Sequence, residues 1–265
     1  MNDSEPRWPI WIGALLIIGL LAWNFRDVIM PPEEPATAAV ESSPVPEQMP
    51  VDSTPRYVVP EFEAPAERNL KPLPALDDSD GFFLVEAGQT FGPALESLLV
   101  RDDVIDRLVA AIDNLPRKQI PENIRPVGQL SMQFHPDFGN SAITLGRGSF
   151  ERYNVYVNMI ANSDLDAAYD TYRRFYPLFQ QVYERLGYPN GYFNDRLVAV
   201  IDHLIEGPVP DGPVTIVRPN VLYEFADPDL EALSSGRKLL IRMGPDNAAT
   251  MQRVMADFRE RLVTE

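Results

Sequence analysis

The sequence contains no cysteine, only two histidines and few basic residues for its 265 positions. The absence of cysteine excludes disulfides, thiolate metal sites and thiol nucleophiles. Lys and Arg total 23 against 39 Asp and Glu, so the formal net charge is -16. A nucleic-acid-binding surface needs a basic stripe, so this charge balance predicts no nucleic-acid partner. No motif in the sequence indicates a cofactor or a metal site.

Charged residues are missing from one long run near the amino terminus. Residues 8–25 read WPIWIGALLIIGLLAWNF, and as a helix they would span roughly 27 Å, close to the hydrocarbon thickness of a bilayer. The run is longer than the apolar region of a cleaved signal peptide, and no small-x-small cleavage site follows it. The sequence therefore predicts an uncleaved transmembrane anchor. Its interfacial aromatic residues are Trp8, Trp11 and Trp23.

One arginine flanks each end of the run, so charge does not indicate the orientation of the anchor. The lengths of chain before and after the run indicate it instead. Residues 1–7 form only a short tail, whereas the bulk of the chain follows the anchor. This arrangement is typical of a signal anchor, so we expect the carboxy-terminal part to be exported.

A proline-rich stretch follows the anchor. Residues 31–74 contain 11 prolines, eight acidic residues and three basic residues, with almost no periodic apolar pattern. Proline removes amide donors and favours extended chain, so we expect a disordered, acidic linker. Within it, residues 56–62 (RYVVPEF) form a short apolar patch. The patch is either a docking peptide or an incidental cluster, and the second interpretation is the simpler expectation.

From Leu76 onward, helical periodicity replaces the proline-rich composition. The pattern predicts a mainly α fold, a single globular domain over residues 76–263 with about seven helices and one minor β-hairpin at 214–225. The strongest apolar stripe covers 165–186, where Pro177 should kink the helix or split it in two. Other predicted helices begin near Asp102, Ser149, Asn194, Asp227 and Pro245.

Three runs of this domain resemble a known family. They are LPALDDSD at 73–80, RRFYPLFQQVYERLGYPNGYFNDRLVAVIDHL at 173–204 and VLYEFADPDLEALSSGRKLLIRMG at 221–244. They are similar to the bacterial family of uncharacterised membrane-anchored proteins called domain of unknown function 3014, and the resemblance covers essentially residues 73–263. It implies a proteobacterial protein with one anchor, a variable proline-rich tether and one folded domain, and it implies no activity and no site residues. With the predicted anchor, it leads us to expect a single-pass protein of the bacterial inner membrane with a periplasmic domain.

Aromatic residues are concentrated in one part of the domain. Residues 150–193 contain eight of the ten tyrosines and four phenylalanines, most of them at helical core spacing. The exception is the predicted turn GYPNGYFNDR at 187–196, and loops held by a rigid scaffold often carry binding residues. We therefore predict a binding surface on this turn, for an envelope protein or a cell-wall component. Its candidate residues are Tyr188, Asn190, Tyr192 and Asp195.

Two functions follow as hypotheses. The first is a non-catalytic binding or assembly module, because every catalytic motif fails and the chain combines an anchor, a spacer and an aromatic turn. The alternative is an envelope hydrolase that uses carboxylates or His135, which lies two residues before Asp137. The other histidine, His203, follows Asp202 inside a predicted helix and is expected to be structural.

Overall fold

A computed structural model describes residues 54–63, 70–92, 94–128, 132–220 and 222–263. The predicted anchor with Trp8, Trp11 and Trp23, and most of the predicted linker, lie outside these ranges. Within them, none of the helices combines the length and the apolar character that crossing a bilayer requires.

The described chain is mainly helical, which confirms the predicted class. Two 3₁₀ turns lie at Leu76–Asp78 and Glu122–Ile124. The α-helices are α1 (Asp80–Phe91), α2 (Ala94–Leu98), α3 (Val104–Asn114), α4 (Arg147–Glu151), α5 (Asn154–Ala161), α6 (Leu165–Arg185), α7 (Phe193–Ile205), α8 (Pro228–Glu231), α9 (Ser235–Met243) and α10 (Pro245–Val263).

The described helices outnumber the seven that were predicted. Two predicted helices are each divided, and α1 and α2 precede Asp102, where the first named helix start was predicted. The helix expected from Ser149 consists of α4 and α5, and the helix expected from Asp227 consists of α8 and α9. In the second case the Ser234 hydroxyl accepts the amide of Arg237 at 3.3 Å, so a new helix begins there.

Helix α6 runs unbroken from Leu165 to Arg185 with Pro177 inside it. The predicted split is therefore wrong. Proline removes one amide donor and costs about 3 kcal/mol in a helix interior. Side chains on both sides of it are buried, among them Phe175 and Phe179, so tertiary packing outweighs that local cost.

The predicted hairpin is one half of a four-stranded antiparallel sheet in the order β1-β2-β3-β4. Its strands are β3 (Thr215–Val217) and β4 (Glu224–Phe225). The other half comprises β1 (Asp137–Phe138) and β2 (Ile143–Thr144), and Ile143 of β2 pairs with Ile216 of β3. Two-residue strands are too short to show an alternating pattern, so the sequence gives no signal for β1 and β2.

Most of the domain packs around one apolar core in which α10 contacts α5, α6, α7 and α9. Five aromatic side chains are almost fully buried at its centre: Tyr172, Phe175, Phe179, Phe193 and Phe258. A smaller core lies between the sheet and α9 and contains Leu145, Ile216, Phe225 and Ile241. The expectation that most aromatic residues of 150–193 are core residues is confirmed.

Residues 54–63, which we call the strap, lie against this helical core. The incidental interpretation of the RYVVPEF patch is therefore wrong, because Tyr57 and Val59 pack against the main core. An apolar side chain gains free energy when it leaves water, and the patch has a core surface within reach. The strap is a part of the predicted linker, and it contacts the candidate functional site.

Candidate functional site

The strap bends at Thr54, Arg56 and Tyr57 and lies with one side against the domain. Exposure alternates from Thr54 to Pro60, with the odd-numbered residues half-buried and the even-numbered residues exposed. Alternate side chains of the strap therefore face the domain, and the others face solvent. Tyr57 points inward, whereas the next side chain, Val58, is 65% exposed.

The first turn of α7 holds the strap by its backbone. The two carboxylate oxygens of Asp195 accept the amide N–H groups of Arg56 and Tyr57, each at 2.9 Å. The side-chain amide of Asn194 donates to the Tyr57 carbonyl at 3.0 Å. Asn194 and Asp195, which we call the clamp, thus bind two adjacent donors and one acceptor of a backbone that bends at Arg56 and Tyr57. A carboxylate in this position is also stabilised by the amino-terminal end of the helix dipole.

The orientation of Asn194 is fixed from inside the core. The Tyr172 hydroxyl donates to Asn194 Oδ1 at 2.9 Å, and Asn194 Nδ2 donates to the Leu262 carbonyl at 3.3 Å as well as to the strap. Burial raises the pKa of the Tyr172 phenol well above its usual value, so Tyr172 remains a donor. Because Oδ1 accepts from a hydroxyl, the amide nitrogen must face the strap. The Asn194 half of the clamp is therefore oriented by contacts that do not involve the strap.

A second contact lies five residues further along the strap. The guanidinium carbons of Arg173 and Arg174 are 5.7 and 5.8 Å from the centre of the Phe62 ring. Arg174 is itself held by the Lys71 carbonyl, to which its Nη2 donates at 2.7 Å, and by Glu86 at 3.4 Å. Arginine next to the face of an aromatic ring is attractive, so this pair forms an aromatic site at the end of the strap.

The carboxy-terminal helix also contacts Tyr57. Asp202 and, more weakly, the Tyr57 side chain raise the pKa of Arg259, which places the Tyr57 phenol beside α10. Helices α6, α7 and α10 therefore all contribute side chains to the strap-binding surface.

The part of the predicted turn that precedes the clamp is held by α6. Gln180 of α6 donates to the Gly191 carbonyl at 2.8 Å and accepts the amide of Phe193 at 2.8 Å. Burial and the negative charge of Asp195 raise the pKa of Tyr176 to about 12, although the Asn194 backbone opposes this shift. These contacts fix where α7 begins and hence where Asn194 and Asp195 lie.

Tyr188 belongs to a different network. Its ring stacks on Tyr183 with 4.6 Å between centroids, and its hydroxyl lies 3.3 Å from the Asp113 carboxylate. Asp113 is buried and also accepts Arg117 and Arg196, each at 2.8 Å. This network ties α3 to α7, because a buried carboxylate needs charged partners.

A family model described as protein of unknown function (DUF3014) matches residues 104–259. The chain belongs to this family. No curated protein and no solved structure matches the chain. The matched range of the DUF3014 domain contains the clamp, Arg173 and Arg174, whereas the strap lies outside it.

The DUF3014 structure separates the four predicted binding residues. Asp195 contacts the strap, and Tyr188 contacts Asp113. Asn190 is exposed at the tip of the turn, and Tyr192 is half-buried where α7 begins. Their role in binding a partner stays a prediction.

Sequence reasoning missed several residues of this surface. Asn194 was expected only as a helix cap, yet its side chain is buried and contacts the strap. Arg173 and Arg174 carried no signal, because arginine on a helix is usually solvated. The signal that was available was the RYVVPEF patch itself, an apolar run inside a polar, proline-rich stretch.

The two histidines of the DUF3014 domain do not converge on a shared site. His135 is exposed, and its Nδ1 lies 2.9 Å from the Gln133 carbonyl. His203 Nε2 lies 2.7 Å from the Ser234 hydroxyl, which also caps α9. Burial and the nearby Arg237 lower the pKa of His203, so its ring is neutral near pH 7. The amides that follow Ser234 are bonded to the carbonyls of residues 117 and 115, which makes this pair structural.

An open cleft of about 410 Å³ lies between α1, α3 and the end of α6. Acidic side chains that line it already have partners within the domain. Asp80 accepts the amides of Asp103 and Val104 at 2.7 and 3.0 Å, and Asp106 pairs with Arg185. Within the described ranges no group of three His, Asp or Glu side chains is arranged to hold a metal ion.

Proposed function

We propose that this protein is a single-pass, membrane-anchored bacterial envelope protein whose periplasmic domain is a non-catalytic binding or assembly module. The observation that carries the proposal is the clamp, since Asn194 and Asp195 bind the backbone of the strap. Side chains that bind amide N–H and carbonyl groups recognise polypeptide, independently of its sequence. The aromatic contacts at Tyr57 and Phe62 add preference for particular side chains.

The chemistry of the clamp favours a protein partner. At a bend, a polypeptide backbone presents two adjacent amide donors to one side, and Asp195 binds such a pair while Asn194 binds the carbonyl that follows. A cell-wall glycan presents hydroxyl groups instead. We therefore place an envelope protein first and keep a cell-wall component as an outcome of the test.

The anchor part of the proposal is supported by the uncharged run at 8–25 with Trp8, Trp11 and Trp23. The chain has no cysteine, so a single introduced cysteine can be labelled without background. In intact cells with a permeabilised outer membrane, Asp211→Cys in the full chain should react with a maleimide that does not cross the inner membrane. Labelling only after the inner membrane is broken would reverse the orientation, and release of the chain by alkaline carbonate would contradict the anchor.

The binding part is tested by site-specific photocrosslinking in the native bacterium. Asn190 is exposed on the turn beside the clamp, so a benzoylphenylalanine at this position should form a specific adduct. The matched control is Val155, which is 62% exposed on α5 and distant in sequence from the clamp. An adduct from position 190 that is absent from position 155, and is lost in a Tyr188→Ala/Tyr192→Ala chain that still folds, supports a protein partner. Adducts that are identical at both positions, or absent from both, would count against it.

The hydrolase alternative gains no specific support. His135 contacts a backbone carbonyl, and the Asp137 carboxylate lies where a side chain on Gly146 would have to go. Neither arrangement forms the base and orienting-acid pair that hydrolytic catalysis needs. A His135→Ala/Asp137→Ala chain that folds but fails to complement a deletion strain would revive this alternative.

A further inference from the structure

We propose that the strap is a displaceable internal ligand: residues 54–63 occupy, within the same chain, the surface that binds a segment of the partner. The partner segment would share the strap's chemistry, with an aromatic residue at the clamp and a second one five positions later. This inference rests on the proposed function and specifies what the site binds.

The contacts that hold the strap are partly exposed. Its backbone is bound at Arg56 and Tyr57, and its far end is bound through the Phe62 ring. Between them, Val59 is half-buried against the main core, whereas Val58 is 65% exposed. The hydrogen bond from Arg56 is exposed to solvent and that from Tyr57 is partly buried. Exposed hydrogen bonds and few buried contacts mark the parts of a protein that open with low free energy.

The surface should keep its shape when the strap leaves. Asn194 retains its bonds to Tyr172 and to the Leu262 carbonyl, both of which belong to the core. Asp195 would be solvated, and Arg174 would keep Glu86. A preformed surface binds an incoming segment without the cost of first ordering itself.

The binding surface and the strap lie in different parts of the chain. The clamp and both arginines fall inside the DUF3014 match at residues 104–259, whereas the strap precedes it. The binding surface is thus part of the family domain, and the segment that fills it belongs to the predicted linker.

Intramolecular binding sets how tightly a partner must bind. A segment joined to its site by a short connection has an effective concentration on the order of millimolar. A partner at a lower concentration is therefore outcompeted unless it binds more tightly than the strap. A separate segment can bind only to chains whose site is open, so its apparent affinity is reduced by the fraction of open chains. Weakening the strap's own contacts raises that fraction and should raise the apparent affinity by the same factor.

The test measures binding of a labelled synthetic peptide, TPRYVVPEFE, to the full-length chain in nanodiscs by fluorescence anisotropy. The Tyr57→Ala/Phe62→Ala chain has a weakened strap but an intact clamp, and it should bind the peptide at least tenfold more tightly than the unchanged chain. Adding Asp195→Asn should remove most of this gain. The control peptide carries alanine in place of its tyrosine and phenylalanine and should bind neither chain. Equal affinity of the two chains, or a gain that is insensitive to Asp195→Asn, would overturn the proposal.

A second measurement applies if the double variant fails to fold. In the unchanged chain, saturating peptide should increase hydrogen exchange of the strap amides, because the peptide displaces them from Asp195. Unaltered exchange with the peptide bound would show that the strap is a permanent part of the domain.

The two proposals fail separately. If the peptide does not displace the strap but position 190 still gives a specific adduct in cells, the protein is a binding module that uses another surface. If the peptide competes with the strap but no adduct forms in cells, the internal ligand stands and the proposed partner does not.

Discussion

Replacing Asp195 by asparagine tests the clamp directly. The carboxylate accepts two backbone amides at 2.9 Å, and Asn keeps the size of the side chain but turns one acceptor into a donor. The new NH2 group faces an amide N–H of the strap, so that hydrogen bond is lost. The remaining hydrogen bond no longer has a charged acceptor. The change therefore weakens strap docking and leaves the packing of α7 unchanged.

The magnitude follows from the exposure of the two bonds. A buried hydrogen bond to a charged group contributes about 1.5 to 3 kcal/mol, and exposed bonds contribute less. One bond is exposed and the other is partly buried, so we expect a combined loss of about 2 kcal/mol. Since each 1.4 kcal/mol is a factor of ten in an equilibrium, amide protection in the strap should fall roughly 30-fold.

Hydrogen exchange followed by mass spectrometry of the full-length chain measures this loss on a peptide covering 54–63. The matched control is Asp211→Asn, because Asp211 is an exposed carboxylate in the loop after α7. Peptides from α3 should exchange equally in all three chains. If the strap exchanges at the same rate in the Asp195→Asn chain as in the unchanged chain, the clamp does not hold the strap and the reasoning is refuted.

Three further predictions concern the supports of the site. Tyr172→Phe deprives buried Asn194 Oδ1 of its donor, and we expect a loss of about 1 to 2 kcal/mol, seen as a melting temperature lower by roughly 2 to 8 °C. Asp113→Ala leaves two arginines without their carboxylate, and because Arg196 is 22% exposed we expect chemical denaturation to show a loss of about 2 to 3 kcal/mol, below the usual range for a buried pair. A loss under about 0.5 kcal/mol in either variant would contradict the assigned contacts. The pKa of His203 lies below its usual 6.5 in the folded chain, so the unfolded chain binds more protons as the pH falls through 6.5 and stability should decrease. Thermal unfolding of His203→Gln should show a smaller decrease between pH 7 and pH 5, and an unchanged pH dependence would show that this ring does not contribute.

The sequence by itself determined the features that depend on local periodicity. The apolar stripe of 165–186 identified α6, and Pro245 marked the start of α10. Helical spacing of apolar residues has one low-energy solution, which buries the stripe against a neighbour. The family also followed from runs of the sequence, since the match at 104–259 lies within the range that the resemblance covered.

Tertiary structure alone decided the candidate site. Tyr57 and Asp195 are 138 positions apart, and no local pattern predicts that a linker segment meets the first turn of α7. The same holds for the pairing of Ile143 with Ile216 and for the unbroken passage of α6 through Pro177. In each case the free energy comes from packing between distant segments, which local propensity does not contain. The site became visible only in the tertiary structure, where the clamp, whose Asn194 is oriented by buried Tyr172, contacts the strap. Composition alone had assigned the strap to a spacer.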